Sequence, residues 1–276
     1  MAGLLKPVWD ATDRAAHRRD IEVYSKFPLF APNSSGSYAA RAELTILAVN
    51  QTFPFMTHFL EAIGKNQLIG SMITAEDFWV HGGSTDAAAQ LKQILDKYGS
   101  DKGGYHDYHR VYGHILSSPS SVTAVLEIGL GTNNEDVISN MGQTGNPGAS
   151  LRAFRDFLPN AKIYGADVDK RVLFSEDRIR TFFVDQTDLS SFDALGKNVG
   201  TDFDLIIDDG LHSPNANIAV LAFAFNKLKR GGWFVVEDIP ESALPVWQVI
   251  AALLPADYRP QLISAKGGAL FLIQRS

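Results

Sequence analysis

The chain has 276 residues, of which 45% are hydrophobic and 11% aromatic, enough to build one large domain with a sizeable core. Its 25 Lys and Arg residues against 31 Asp and Glu residues give a net charge of −6, which disfavours proteins that bind nucleic acid or anionic membranes. The absence of Cys excludes disulfides, thiolate catalysis, zinc fingers and iron–sulfur clusters, so any bound metal must be held by oxygen or imidazole ligands.

The first 20 residues lack the apolar run of a signal peptide, and no apolar stretch reaches the ~20 residues that span a bilayer. We therefore expect a cytoplasmic protein with no membrane partner.

Residues 1–120 are predicted to form a mostly helical N-terminal region. Its helical periodicity is found in Ala42–Asn50, Phe55–Ile63 and Ala87–Tyr98, and Gly99 is typical of a helix C-terminus. Aromatic residues are frequent in this region, more than one small layer easily buries. We expect it to support self-association as a homo-oligomer or to act as a substrate lid.

Residues 121–276 alternate between short apolar runs and helical segments. The predicted strands are Ala124–Ile128, Lys162–Val168, Thr181–Val184, Phe203–Asp208 and Trp233–Glu237, and the predicted helices are Ser150–Leu158, Leu189–Lys197, Pro214–Lys229 and Ser242–Leu254. Strands that are apolar on both faces and alternate with helices indicate an α/β fold with a doubly wound parallel sheet.

The C-terminal segment departs from this alternation. Gln261–Ser264 and Ala269–Gln274 flank Ala265–Gly268, which predicts a terminal antiparallel hairpin. Five parallel strands followed by such a hairpin are typical of a Rossmann-like methyltransferase sheet rather than of a nicotinamide-binding one.

Two glycines, Gly129 and Gly131, directly follow the first predicted strand, where a ligand could approach the backbone closely. Position 134 is Asn, so the full dinucleotide-binding fingerprint is absent and NAD binding is not expected. The long connection from Asn133 to Gly148 is predicted to be a lid over this turn, with a plain surface insertion as the alternative.

Polar residues stand at the ends of three successive predicted strands. Glu127 lies in the first, Asp167 ends the second where a ribose diol needs an acceptor, and Asp185 and Gln186 end the third where they suit an adenine edge. Because the carboxyl ends of parallel strands form one crevice, this pattern favours a class I S-adenosylmethionine methyltransferase.

Carboxylates and one imidazole follow the fourth and fifth predicted strands: Asp208, Asp209 and His212, then Glu237 and Asp238. So much negative charge at neighbouring strand ends predicts a hard divalent cation such as Mg²⁺. His212 is the predicted general base, with a helix-capping role as the alternative. Asp208 is a candidate for the methionine portion of the cofactor, and the sequence alone does not divide the roles of Asp208 and Asp209.

From about Tyr98 onward the chain resembles the metal-dependent sugar O-methyltransferases of macrolide biosynthesis, the mycinamicin and macrocin group. The matching pieces, about two thirds of the chain, are SDKG at 100–103 with His106, Tyr108 and Tyr112, then LEIGLGT, GASLRAFRDFLPNAKIYGADVD, DLIIDDGLH and GGWFVVEDI. The first hundred residues do not match the auxiliary domain of those enzymes.

That resemblance implies roles for particular residues. It implies Asp209 and Asp238 as metal ligands and His212 as the base. Asp238 lies 29 residues after Asp209, and Glu237 lies 28 residues after it. These spacings are similar to those between metal ligands in catechol-type O-methyltransferases, so Glu237 joins the predicted metal ligands.

The Asp-Lys-Gly element of the same enzymes implies that Lys102 and His106 lie near the active site. Lys102 is therefore added to the predicted cofactor-binding residues, which include Glu127 because of its place in the first strand. The alternatives are an ordinary loop role for Lys102 and a helix-start role for His106. Glu127 is also a weaker match to a further metal ligand of the family.

The leading hypothesis is an S-adenosylmethionine- and divalent-metal-dependent O-methyltransferase of a sugar hydroxyl on a glycosylated natural product or glycan. The alternatives are a hydroxylase-like relative, a methyltransferase of nitrogen or of a non-sugar acceptor, and a non-catalytic scaffold that binds the cofactor. The gathered carboxylates and imidazole disfavour the scaffold, which has no need of them.

Overall fold

The computed structural model describes residues 38–65, 72–80 and 85–276. The chain divides into two compact units, residues 1–63 and residues 64–276. Among the described residues of the first unit, one helix, α1 (Tyr38–Ala62), covers all but the last residue of the two helical segments predicted there, with Pro54 in its interior. Within the described residues, no helix is long and apolar enough to cross a membrane.

Among the described residues, the second unit is built on one mixed sheet of nine strands. They are β1 (Ile73–Thr74), β2 (Ala124–Ile128), β3 (Lys162–Asp167), β4 (Ser175–Glu176), β5 (Ile179–Phe183), β6 (Phe203–Asp208), β7 (Leu228–Ile239), β8 (Tyr258–Ser264) and β9 (Ala269–Arg275). The order across the sheet is β1-β8-β9-β7-β6-β2-β3-β5-β4. This arrangement confirms the predicted Rossmann-like sheet.

Helices cover the sheet and connect its strands. They are α2 (Ala75–Val80), α3 (Thr85–Tyr98), α4 (Tyr108–Ile115), α5 (Ala149–Phe157), α6 (Leu189–Asn198), α7 (Pro214–Phe225) and α8 (Leu244–Leu253). The parallel strands β2, β3 and β6 are almost wholly buried because helices pack on both faces of the sheet.

Chain direction creates a crevice beside β2. From β2 the chain passes to β3 on one side, and β6 later pairs with β2 on the other side, both in parallel. Such a reversal of strand order leaves an opening outside the carboxyl ends of the strands, where ligands bind in sheets of this kind. The residues predicted to be functional follow these strand ends.

The predicted terminal hairpin is confirmed. β9 runs antiparallel to both β7 and β8 and lies between them. The amide of Ala265 donates to the carbonyl of Gly268 at 3.0 Å and closes the turn. Two short strands, β1 and β4, were not predicted, since two residues carry no readable periodicity.

The division of the chain differs from the predicted boundary at residue 120. Leu91 and Leu95 of α3 and Val111 of α4 are fully buried in the same cluster as Val125 of β2 and Leu151 of α5. These helices complete one face of the sheet, so the second unit includes them.

The α7–β7 connection also differs from its predicted position. The helix was expected to continue to Lys229, but it ends at Phe225 and β7 begins at Leu228. Leu228 pairs with Phe203 of β6 ahead of a register shift, and this tertiary pairing outweighs the turn-like sequence that follows it.

Candidate active site

A cavity of about 570 Å³ opens at the carboxyl ends of the central strands. The predicted site residues that line it are Lys102, Gly129, Gly131, Asp167, Asp185, Gln186, Asp209, His212 and Asp238. Asp208, Glu127 and Glu237 are buried behind this lining, with at most 1% of each exposed.

The glycine turn after β2 forms the floor of the cavity. Gly129 has φ +96°, and a Cβ there would lie 2.1 Å from the carbonyl oxygen of Asp209, so only glycine fits between the two loops. Asp167 fixes the turn because its Oδ2 accepts from the amide of Leu130 at 2.7 Å, while its Oδ1 accepts from the amide of Asp169 at 2.8 Å. The predicted ribose-binding carboxylate therefore also holds the glycine turn in place.

The long loop after this turn reaches across the cavity. Arg171 joins Asp169 to Asp136 of the loop, at 2.7 and 2.8 Å, and Ser139 donates to the carbonyl of Gly210 at 2.9 Å. Residues 136–141 line the cavity, and the Ile138 side chain is 92% exposed. This position is consistent with the predicted lid, whose movement stays a prediction.

Asp209, His212 and Asp238 form a cluster in which one ligand atom from each lies within 4.8 Å of the others. His212 has φ +53° and Asp238 has φ +54°, left-handed conformations that residues other than glycine adopt infrequently. Asp238 lies in an irregularity of the β7–β9 register between Val236 and Ile239, which turns its side chain toward the cavity.

The two aspartates are each held by one oxygen and present the other to His212. Asp209 Oδ2 accepts from Lys102 at 2.5 Å and Asp238 Oδ1 accepts from the Tyr108 hydroxyl. Asp209 Oδ1 and Asp238 Oδ2 lie 3.8 and 3.9 Å from His212 Nε2. Two carboxylate oxygens and one imidazole nitrogen suit a hard or borderline divalent cation.

Glu237, the third predicted metal residue, points away from this cluster. Its carboxylate accepts hydrogen bonds from Lys102 Nζ and from the hydroxyl of Tyr112. Burial raises its pKa well above the ordinary value, against the opposing effect of Lys102. The structure therefore brings Asp209 and Asp238 together and leaves Glu237 outside their cluster.

Glu127 and Lys102 lie next to Glu237. Glu127 Oε2 accepts from the Ser150 hydroxyl at 2.7 Å and its Oε1 lies 3.3 Å from Lys102 Nζ. Burial raises the pKa of Glu127 to about 7, although Lys102 lowers it. His106, the other residue of this segment, lies 3.6 Å from Asp101 and 3.9 Å from Asp238.

Asp208 belongs to a buried network under the cluster. It accepts from the side-chain amides of Gln186 and Asn217, both at 2.8 Å, and Gln186 Oε1 accepts from the amide of Leu211 at 2.8 Å. Burial raises the pKa of Asp208 to about 6. A Cβ at Gly210 would lie 2.0 Å from Gln186 Oε1, so the loop bearing Asp209 and His212 rests directly on this amide.

Three partners of the site were not assigned roles from the sequence. Tyr108 and Tyr112 are four residues apart on α4, which places both hydroxyls on one helix face, and that spacing could have indicated them. Asn217 lies one helical turn after Ser213, and nothing in its sequence context marks it.

Comparison with known proteins identifies relatives of this chain by sequence. No protein-family model matches the chain. It is 31% identical over 159 residues to an 8-demethyl-8-α-L-rhamnosyl tetracenomycin-C 2′-O-methyltransferase of Streptomyces olivaceus, covering 57% of this chain and 40% of that protein. It is also 31% identical over 193 residues to the mycinamicin VI 2″-O-methyltransferase of Micromonospora griseorubida, covering 68% of this chain and 45% of that protein. The chain thus spans less than half the length of these relatives.

Among solved structures, the chain is similar to the mycinamycin-pathway methyltransferase MycE in complex with Mg, S-adenosylhomocysteine and mycinamycin VI. The match has a TM-score of 0.53 and 23% identity, and covers 71% of this chain and 56% of that one. The chain therefore has the Rossmann-like fold of class I methyltransferases and resembles natural-product sugar O-methyltransferases in sequence.

Proposed function

We propose that this protein is an S-adenosylmethionine-dependent O-methyltransferase that acts, with a divalent cation, on a sugar hydroxyl of a glycosylated small molecule. The observation that carries the proposal is the position of the Asp209–His212–Asp238 cluster on the wall of the same cavity whose floor is the Gly129–Gly131 turn. A methyl donor on the floor and an acceptor at the cluster would meet within one cavity.

The cavity fits the cofactor in size and in chemistry. About 570 Å³ is within the range of ligand pockets, and the turn that lines its floor carries no side chain at Gly129 or Gly131. Asp167 and Asp185 line the neighbouring wall, where the carboxylates can accept from the hydroxyls of a ribose.

The cluster fits a divalent cation because Asp209 and Asp238 each have one oxygen fixed by a donor and one directed to a shared point. Bound there, a cation supplies Lewis acidity that lowers the pKa of a hydroxyl in contact with it. Mg²⁺ is the favoured ion, because Asp209 and Asp238 offer it hard carboxylate oxygens.

His212 is assigned the role of general base. Its Nδ1 is buried without a hydrogen-bond partner among the described residues, while Nε2 faces the two aspartates. In the transfer, Nε2 takes the hydroxyl proton as the acceptor oxygen bonds to the methyl carbon. A bound S-adenosylmethionine would supply the methyl group and would keep the electron pair of the broken carbon–sulfur bond on its sulfur as a neutral thioether.

A glycoside is proposed as the acceptor because the names of the sequence relatives state 2′-O-methylation of a rhamnosyl tetracenomycin and 2″-O-methylation of mycinamicin VI. The exposed Ile138 on the loop across the cavity offers an apolar contact for an aglycone.

Self-association and a cytoplasmic location are further parts of the proposal. Phe55 and Phe59 are four residues apart on α1 and are 62% and 61% exposed, which supports burial of this helix against another copy. Light scattering at micromolar concentration is expected to give an oligomeric mass, and a monomeric mass would contradict self-association.

Fractionation of the source cells tests the proposed cytoplasmic location, and the protein is expected in the cytoplasmic fraction.

The activity is tested by incubating the protein with methyl-labelled S-adenosylmethionine and a panel of rhamnosides and macrolide glycosides. We expect label on a sugar oxygen, loss of transfer with EDTA, and recovery with excess Mg²⁺. Label on nitrogen would support the alternative acceptor class. Cofactor binding without transfer across the panel would support the non-catalytic scaffold.

A further inference from the structure

The loop of residues 133–148 folds back on the glycine turn that precedes it. The amide of Met141 donates to the carbonyl of Thr132 at 2.9 Å. At the end of the loop, the amide of Gly148 donates to the carbonyl of Leu130 at 2.8 Å. Loops whose two ends lie close together and which are packed by their own side chains are compact and frequently functional. This loop has both features.

The side chain of Met141 packs against the turn. A Cβ at Gly131 would lie 2.4 Å from Met141 Sδ and 2.7 Å from its Cε, so the thioether lies directly on the Gly131 backbone. A Cβ at Gly145 would lie 2.6 Å from the same sulfur, so a second glycine makes room for it from within the loop. The Met141 side chain also lines the cavity. One residue therefore both docks the loop and forms part of the cavity wall.

Two further contacts hold the loop ahead of Met141. Arg171 lies 2.8 Å from Asp136, and the Ser139 hydroxyl donates to the carbonyl of Gly210 at 2.9 Å. The first is an exposed ion pair, and such pairs stabilise little. Docking of the loop therefore depends mainly on Met141 and Ser139, and all of these contacts join protein groups to protein groups.

We propose that Met141 is a positioning residue of the cofactor site, which docks the 133–148 loop on the glycine turn as a fixed wall of the cavity. The loop is then not a lid that closes upon the cofactor. The role of Met141 toward the cofactor rests on the proposed function, whereas the docking of the loop does not.

The physical reason is the fit of a thioether to a glycine-lined gap. Methionine is unbranched and polarisable, so it fills irregular gaps that a branched side chain does not. A wall that is fixed in advance costs less to bind against than one that the ligand must order. Cofactor affinity should therefore depend on Met141, although its side chain is 37 residues or fewer from every element of the turn and of β3 that it supports only through the loop.

Hydrogen exchange of the wild-type chain distinguishes a docked loop from a moving lid. We expect the amides of Met141 and Gly148 to exchange about a hundredfold more slowly than in an unstructured chain before any S-adenosylhomocysteine is added. Exchange close to the unstructured rate, slowed only when S-adenosylhomocysteine is added, would overturn the inference.

Substitutions at Met141 separate a positioning role from a merely structural one. Met141→Ala is expected to raise the Kd of S-adenosylhomocysteine about tenfold, because the wall is no longer held in advance. Met141→Leu keeps the apolar volume and should stay within about threefold of the wild type. The control is Met72→Ala, whose side chain is 46% exposed ahead of β1. An unchanged Kd in Met141→Ala, with faster exchange in the loop, would overturn the role of Met141 toward the cofactor.

A double-substitution cycle tests the contact without any cofactor. Gly131→Ala is expected to lower the urea midpoint of the wild type more than that of Met141→Ala, because the added methyl group meets the thioether only in the wild type. The strain of a side chain at φ +75° is present in both backgrounds and cancels. Equal shifts in the two backgrounds would overturn the contact.

These measurements separate the inference from the proposed function. If the wild type does not bind S-adenosylhomocysteine, the proposed function and the cofactor role of Met141 both fail, while exchange and the cycle still decide whether the loop is docked. Exchange, Kd values and cycle as expected, but without methyl transfer, would contradict the activity alone.

Discussion

The two ends of β6 carry aspartates in opposite settings. At the first end, the Asp204 carboxylate accepts from the amides of Thr123 and Ala124, at 2.8 and 3.0 Å, and pairs with Lys229. At the other end Asp208 is fully buried and accepts from two neutral side-chain amides. The neighbouring Asp209 accepts from the ammonium of Lys102, which also contacts Glu127 and Glu237. At the first end one lysine balances the charge of one carboxylate, whereas at the second end the carboxylates outnumber the single lysine that contacts them.

The pKa values follow this difference. Burial raises the pKa of Asp204, but Lys229 and the amide donors outweigh it and the net shift is downward. Burial raises the pKa of Asp208 to about 6, and its neutral donors do not reverse it. One end of the strand is therefore arranged for stability, whereas the other retains a charge excess that a bound cation would offset.

Removing the proposed base should have the largest effect on catalysis among substitutions at the end of β6 that bears Asp208 and Asp209. His212→Ala is expected to lower kcat for methyl transfer by about 10²–10⁴-fold, the usual contribution of a general base, with an unchanged fold. Mn²⁺ affinity should change little if His212 is a base and not a ligand. The control is His58→Ala on α1, a side chain 84% exposed. Full activity in His212→Ala would remove the histidine from the mechanism.

Removing Asp167 should weaken cofactor binding without touching the cation. Asp167→Ala is expected to raise the Kd of S-adenosylhomocysteine about 5- to 150-fold, because a charge-assisted contact and the support of the Leu130 amide are both lost. Calorimetry measures this, with Asp193→Ala on the exposed face of α6 as the control. An unchanged Kd would exclude Asp167 from the cofactor site.

Loosening the network under the Asp209–His212 loop should have a smaller effect. Gln186→Ala removes a donor to Asp208 and the acceptor of the Leu211 amide, so we expect kcat to fall about tenfold. The KM for S-adenosylmethionine should change less than kcat if Gln186 acts through this loop. A large rise in KM with unchanged kcat would instead support the predicted contact with adenine. Gln93→Ala on the exposed side of α3 is the control.

A substitution at Asp204, at the other end of β6, should change the stability of the protein and not its activity. Asp204→Asn is expected to lower the free energy of unfolding by about 1–2 kcal/mol near neutral pH, with no change in kcat. Because the folded pKa of Asp204 is lowered, its stabilisation is present above the ordinary value of 3.8 and is lost as pH falls through the lowered pKa.

Urea unfolding at pH 7 and near pH 3 measures this difference, with Asp177→Asn, a side chain 90% exposed, as the control. A variant of Asp204 that loses activity at unchanged stability would contradict the comparison of the two ends.

The sequence predicts the sheet better than it predicts the site. Ala124–Ile128 and Phe203–Asp208 are found with the predicted bounds because both are apolar on two faces and end in turns. The glycine turn and the carboxylates at strand ends follow from that pattern, since parallel strands bring their carboxyl ends together. The N-terminal helix shows the opposite case, because Ala42–Asn50 and Phe55–Ile63 were predicted as separate segments and one helix with Pro54 in its interior joins them.

The orientations within the site depend on contacts that no local pattern contains. Glu237 and Asp238 are neighbours in sequence, yet a register irregularity sends one carboxylate to Lys102 and the other to the cavity. Lys102 lies 107 residues from Asp209 and 135 from Glu237 along the chain. Only the folded sheet brings these three charges together.

Anomalous diffraction from crystals grown with Mn²⁺ and S-adenosylhomocysteine locates the cation directly. We expect one Mn²⁺ peak at this edge of the sheet, in contact with Asp209 and Asp238, with S-adenosylhomocysteine over the Gly129–Gly131 turn. Crystals that contain the cofactor product but show no Mn²⁺ at this edge, or Mn²⁺ bound to Glu237 and not to Asp238, would contradict the account.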